Sequence, residues 1–165
     1  MRAVADRAGV TAPALYWHFA DKEALVRGVG REVARLFNDR MLEATRLPSS
    51  EARLRSALGV FRAFAIEHPA YFHMLFERPA APKGGRRGAV DRAAGPPIFQ
   101  FLVDRVAECM RDGSLARGDP ESAAMTLAAL AQGLIGLRGR GRLASDAAFA
   151  ELYDRSIERM IAGLR

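Results

Sequence analysis

The stretch MRAVADRAGVTAPALYWHFADK at residues 1–22 constrains the fold more than any other part of this chain. Arg2 to Ala8 reads as a short helix with Val4, Ala5 and Ala8 on one side. Gly9 follows where a left-handed residue turns the chain sharply. Val10 is expected to plug the corner. Thr11 supplies the capping oxygen for a second helix whose first turn accepts Pro13. Helices joined by so short a turn must approach closely, and small Ala5 and Ala8 permit it. The second helix, Pro13 to His18, then presents Ala12, Pro13, Ala14 and Trp17 outward, with Leu15, Tyr16 and Phe19 leaning inward. The pattern is that of the last two helices of a helix-turn-helix, and a short helix held in this way fits a DNA major groove.

Beyond the turn the apolar residues keep helical spacing to the end of the chain. Asp21 is a natural N-cap for a long helix from Lys22 to about Thr45, with Leu25, Val29, Val33, Leu36, Phe37 and Met41 recurring along it. Leu47-Pro48-Ser49-Ser50 breaks that helix, and Ser49 or Ser50 starts the next. This one runs to about His68 and lines up Leu54, Leu58, Phe61, Ala65 and His68 before Pro69 stops it. A short helix over Ala70 to Glu77 follows. Residues Arg78 to Pro97 are rich in Pro, Gly and Arg and read as a loop, with room for a short helical piece at Ala89–Ala94. Helices are then predicted over Ile98–Asp112, Pro120–Leu137 and Asp146–Leu164. The second of these is unusually rich in Ala and Gly. The third carries Phe149, Leu152, Tyr153, Ile157, Met160, Ile161 and Leu164 as a heptad-like stripe.

Composition excludes more than it selects. The net charge of +6 suits a polyanionic partner, yet residues 1–46 hold eight basic and six acidic side chains, a net of only +2. Much of the excess lies in Arg78–Arg92 and Arg138–Arg142, so the turn motif, not the charge, argues for DNA. A single cysteine, Cys109, excludes an internal disulfide and a cysteine-built zinc site. His68 and His73 are five residues apart around a proline, the wrong spacing for two ligands on one helical face, and no metal or cofactor is expected. No nucleophile–base arrangement and no phosphate loop after a strand is visible, so an enzyme is not expected. The longest uncharged run, Ser122 to Leu137, falls short of the roughly 18 residues that a spanning helix needs. With no signal peptide in the first residues, a cytoplasmic location is expected.

The run RAVADRAGVTAPALYWHFADKEAL resembles the signature of the tetracycline-repressor (TetR) family of bacterial regulators. Ala5, Gly9-Val10, Leu15-Tyr16, His18-Phe19, Lys22 and Leu25 carry the likeness. The resemblance implies an all-α fold: a helix-turn-helix head over residues 1–46 and a helical ligand-binding and dimerisation body over 47–165. It places Arg2 at a base edge, Ala12, Pro13, Ala14 and Trp17 at the groove face, and Thr11, Tyr16, His18 and Lys22 on phosphates. Chemistry agrees at two of these. An arginine grips guanine in a two-pronged fashion, and Lys22 in the first turn of a helix opposes the helix dipole unless an anion docks there. The alternative for Tyr16 and His18 is that they only fill the small core of the head.

For the body, the resemblance implies a homodimer through 120–137 and 146–164 that presents two heads to a near-palindromic operator. It also implies a cavity for a mostly apolar effector among Phe61, Phe64, His68, Phe72, His73, Phe76, Phe99, Met110 and Met125. Expected overall is a ligand-responsive regulator, most simply a repressor. The alternative is a helical homodimer that binds a ligand or protein partner and has lost DNA binding. The sequence departs from the family at one point: Met1 stands directly before Arg2, where the family carries a further helix packed across both helices of the motif. Without that cover the inward faces of Val4, Ala8, Leu15 and Phe19 are expected to be exposed and DNA binding to be weak. An upstream start, a trimmed chain and a non-binding dimerisation partner each account for this, and the intact reading helix favours the first two.

Overall fold

The computed structural model describes residues 1–76, 98–143 and 145–165, which form eight helices and no strand among them. In chain order these are α1 Arg2–Ala8, α2 Ala12–His18, α3 Lys22–Ala44, α4 Ser50–Glu67, α5 Pro69–Phe76, α6 Ile98–Asp112, α7 Pro120–Gly139 and α8 Asp146–Gly163. The predicted loop at Arg78–Pro97 and its short helical piece at Ala89–Ala94 lie outside the described residues, as does Glu77.

The caps explain why the helices begin where they do. Asp21 Oδ1 accepts from the Ala24 amide at 2.6 Å, and Ser49 Oγ accepts from the Ala52 amide at 3.1 Å. Asp119 takes the Glu121 and Ser122 amides at 3.1 and 3.2 Å, and Ser145 takes that of Ala148 at 3.1 Å. Each satisfies an N–H that a helix terminus leaves without a partner. Two ends differ from the sequence expectation. Pro69 does not merely stop α4 but opens α5, since its missing N–H is one the first turn does not use. α7 continues two residues past Leu137 to Gly139, where Gly141 at φ 66° lets the chain turn back.

α3 and α4 form an antiparallel hairpin. Phe37 meets Phe64 edge-on at 5.1 Å and Phe61 at 6.3 Å, while Arg40 reaches Glu67 at 2.6 Å. On its other side α4 runs antiparallel to α8: Arg55 bonds Glu158 at 2.6 Å, Arg62 bonds Asp154 at 2.6 Å, and the Tyr153 hydroxyl donates to the Leu58 carbonyl at 2.9 Å. Arg53 joins α4 to α6 through Glu108 at 3.2 Å. Within this frame the core holds Val33, Phe37 and Met41 of α3, Leu54, Leu58 and Phe64 of α4, Leu102, Val106 and Cys109 of α6, Leu127 and Ala131 of α7, and Phe149, Tyr153 and Ile161 of α8. Each larger apolar side chain among them contributes about 1.5–3 kcal/mol by leaving water. Burial pushes the Tyr153 phenol well above its ordinary range, so it stays a neutral donor.

The predicted stripe on α3 needs one correction. Val29 and Leu36 are exposed, and the core face is instead Gly30, Val33, Ala34, Phe37, Met41 and Ala44. Leu36 lies one residue, about 100° around the helix, from Phe37, and that step carries it off the α4 side.

Candidate nucleic-acid interface

The turn between α1 and α2 is a Schellman closure. Gly9 takes φ 67°, its amide donates to the Asp6 carbonyl at 3.3 Å, and the Val10 amide donates back to the Ala5 carbonyl at 3.0 Å. A side chain at residue 9 would be strained in this left-handed backbone. Thr11 then turns extended and its Oγ1 accepts from the Ala14 amide at 3.3 Å, starting α2 with Pro13 in its first turn. The two short helices therefore hold a fixed angle set by backbone geometry more than by burial. Ala5 is the buried residue of α1, and α2 buries none.

Phe19 caps the C-terminus of α2, its amide still donating to the Leu15 carbonyl at 2.9 Å. The half-buried Phe19 ring then lies on α3 at Gly28, so close that a Cβ built there would stand 2.8 Å from the ring. This contact ties the head to the long helix. Asp21 caps that helix, and Arg27 ties back to Glu23 at 3.5 Å and Asp21 at 3.9 Å.

The consequence for the outer face of α2 is unusual. Trp17, an indole that normally seeks burial, is 88% exposed, with exposed Pro13 and Ala14 beside it. Arg2, Thr11, Tyr16, His18 and Lys22 are exposed as well, so eight of the nine predicted contact residues present a free surface. Ala12 differs: it is half-buried, because it sits a turn before Leu15 and Tyr16, on the side of α2 away from Pro13 and Trp17. Tyr16 is 54% exposed, which sets aside the reading that it fills the head's core and the expectation that it leans inward. Val10 is likewise 44% exposed and does not plug the corner; the backbone bond to Ala5 closes it instead. Val4 and Ala8 are exposed, as expected, while Leu15 and Phe19 are half-buried.

The residues expected to line an effector cavity fall into three groups. Phe61, Phe72 and Phe76 pack on one another, with Phe61–Phe72, Phe61–Phe76 and Phe72–Phe76 centroids 5.0, 4.8 and 4.6 Å apart, and Phe37 meets Phe61, Phe76 and Phe64. His68 and exposed His73 sit at this cluster's edge, His68 stacking on Tyr71 at 5.5 Å, and half-buried Phe99 packs against the core from α6. Met110 also packs on the core, near Gly118, whereas Met125 is 53% exposed on the outward face of α7. The structure thus brings the phenylalanines together and keeps Met125 apart. On the same outward face stand Ala129, Gln132, Gly133 and Leu137, a second small and apolar surface that the core does not use.

Among the described residues no group of three His, Cys, Asp or Glu is placed to hold a metal, and no helix is long and apolar enough to cross a membrane. Cys109 is buried against Ser50, and burial raises its thiol pKa, which suppresses the nucleophilic thiolate.

Comparison with known proteins agrees with this geometry. Residues 1–29 match the family model of bacterial regulatory proteins of the tetR family, and residues 54–164 match that of the tetracycline-repressor-like C-terminal domain. A solved structure described as a protein with unknown function from Rhodococcus sp. RHA1 superposes with a TM-score of 0.83 at 24% identity. The match covers 99% of this chain and 83% of that one. No curated protein matches the chain.

Proposed function

Since the chain belongs to the tetracycline-repressor family and is a DNA-binding transcriptional regulator of that type, we propose that it is a ligand-responsive repressor acting as a homodimer on a near-palindromic operator. The observation that carries this reading is Trp17, exposed on a two-turn helix whose orientation Gly9, Thr11 and Phe19 fix. A large apolar side chain held in water at such a place is a contact surface in waiting. In a major groove Trp17 and Ala14 meet thymine methyls, and Arg2 reaches a guanine edge. Thr11, Tyr16, His18 and Lys22 lie around this face and hold phosphates, while Ala12 supports α2 from behind.

Dimerisation supplies the second head. The outward face of α7, with Ala129, Gly133 and Leu137, packs against its two-fold mate, and the flank of α8 carrying Leu152 completes a four-helix arrangement. Two heads then read half-sites about 34 Å apart. An effector in the body favours one tilt of α3 and so changes the separation of the heads.

The test is selection from a random duplex pool at physiological salt, followed by titration of the enriched sequence against a scrambled competitor. Enrichment of a palindrome bound far more tightly than the scramble supports the reading. Binding that falls steeply with salt but prefers no sequence refutes it, since a +6 chain adheres to any polyanion. That outcome favours a dimer that serves a protein partner.

A further inference from the structure

The α3–α4 hairpin is closed at both ends and open in the middle. At the loop, Arg53 Nη1 donates to the Leu47 and Pro48 carbonyls at 2.7 and 3.1 Å. At the other end Arg40 pairs with Glu67 at 2.6 Å and lies 6.0 Å over the Phe64 ring. Between these closures is a cavity of about 300 Å³, the lower end of the range for small-molecule sites. It exists because the facing residues are short. Ala44 of α3 and Ser56 and Ala63 of α4 leave a gap that leucines would fill, with Val60 as its floor and Leu47 as its lip. None of the residues expected to bind an effector lines it.

The two charged side chains that line this cleft, Arg40 and Glu43, are not paired with each other. Arg40 is neutralised by Glu67, but Glu43, at the rim, makes no ion pair among the described residues. Arg46, three residues on, is not joined to it by an ion pair either. An apolar floor, one hydroxyl and one unmatched carboxylate make a site for a small organic cation. We propose that this cleft binds a primary or quaternary ammonium compound with a compact apolar body, the nitrogen at Glu43 and the body on Val60 and Ala63. Such a wedge spreads or locks the hairpin at the end of α3 remote from Phe19 and Gly28. Its effect on DNA affinity rests on the function proposed above; its occupancy does not.

Phenethylammonium is a suitable probe, with 2-phenylethanol and 3-phenylpropionate as the neutral and anionic controls. In amide-resolved NMR titrations of the whole chain, phenethylammonium is expected to shift residues 40–47 and 56–63 saturably. It should bind about tenfold more tightly than the alcohol, with the propionate weaker still. Glu43→Gln should reduce the ammonium probe to the affinity of the alcohol, and Val60→Phe, which fills the floor, should weaken both. Absence of saturable shifts at these residues, or unchanged ammonium affinity in Glu43→Gln, overturns the site. Saturated cleft amides with unaltered affinity for a selected operator overturn its coupling to the head. An operator that cannot be selected at all counts against the proposed function alone.

Discussion

Replacing Gly28 with alanine separates the stability of this chain from its fitness to bind DNA. The new Cβ would stand 2.8 Å from Phe19 Cε1 and 3.6 Å from Cζ, whereas carbon atoms settle at about 3.5–4.0 Å. The ring must therefore withdraw by about 0.7 Å or more. Overpacking a filled site costs about 1–3 kcal/mol, toward the low end here because the half-buried ring has an open side to move into. Against this, alanine is favoured over glycine inside a helix by about 0.8–1 kcal/mol. The two terms nearly cancel, and thermal unfolding should shift by no more than a few degrees in either direction. DNA affinity has no such compensation. Phe19 directly follows α2, so displacing its ring re-aims the helix that carries Trp17, and each 1.4 kcal/mol of lost contact is tenfold in Kd.

The control is Gly59→Ala in α4, where an added Cβ meets nothing within 4 Å. It should gain up to about 1 kcal/mol of stability and leave the operator titration unchanged. Gly28→Ala should weaken operator binding at least tenfold at near-wild-type stability. Adding Phe19→Leu should restore part of the loss, giving a positive coupling in the double-mutant cycle. Wild-type operator affinity in Gly28→Ala, or an equal loss in Gly59→Ala, would refute the claim that this contact aims the head.

Other perturbations probe the remaining parts. Trp17→Ala removes a side chain that contacts little within the protein; stability should change by less than about 0.5 kcal/mol, while preference for the operator over a scramble falls by about 1–3 kcal/mol. Ala129→Arg, at an exposed position of α7, should leave a folded monomer, read by sedimentation equilibrium, and weaken operator binding with it. Tyr153→Phe removes the buried bond to the Leu58 carbonyl, which keeps its helical partner within α4, and should cost about 0.5–1.5 kcal/mol in denaturant unfolding. The Asp112 carboxyl is held at about 2 by the Ser114 and Ser50 hydroxyls and the Ser114 amide. A group depressed on folding stabilises the protein above its unfolded pKa, here near 3.8, and loses that contribution as pH falls through the folded value. The stability gap between wild type and Asp112→Asn should accordingly be full at pH 6 and shrink between about pH 4 and 2.

What the sequence disclosed was local, and what it concealed was lateral. Thr11, Asp21 and Asp119 announce their helices because an N-cap needs only its own backbone three residues on, and Gly9 announces the turn for the same reason. The family, too, was legible in the few residues around that turn. Faces were harder. Val29 and Leu36 keep helical spacing with Val33 and Phe37, yet which side is covered depends on where α4 crosses, and a periodicity cannot say. Tyr16 and Val10 look like core residues, but the head closes through backbone hydrogen bonds and asks little burial of them. The cleft at Glu43 left no trace in either helix alone. It arises from Ala44, Ser56 and Ala63 meeting in register across a hairpin, a coincidence of three short-residue positions that neither segment reveals.

The distribution of burial along α3 determines how a signal could reach the head. Its buried residues begin at Gly30, so the first two turns are held by the head through Phe19 and Gly28, and the rest is held by the body through Val33, Phe37 and Met41. The helix is uninterrupted for 23 residues, without a proline to bend it, and it transmits rotation as a rod. From Phe37 to Lys22 is about 22 Å along the axis. A tilt of α3 by about 5° within the body therefore carries the head about 2 Å, and in the proposed dimer two heads moving oppositely change their separation by about 4 Å. Half-sites one helical turn apart tolerate little of that. On the function proposed above, a ligand need not unfold or unlock anything to release an operator: a few degrees at the α3–α4 hairpin suffice, because the body holds one end of the rod and the Phe19–Gly28 contact holds the head to the other.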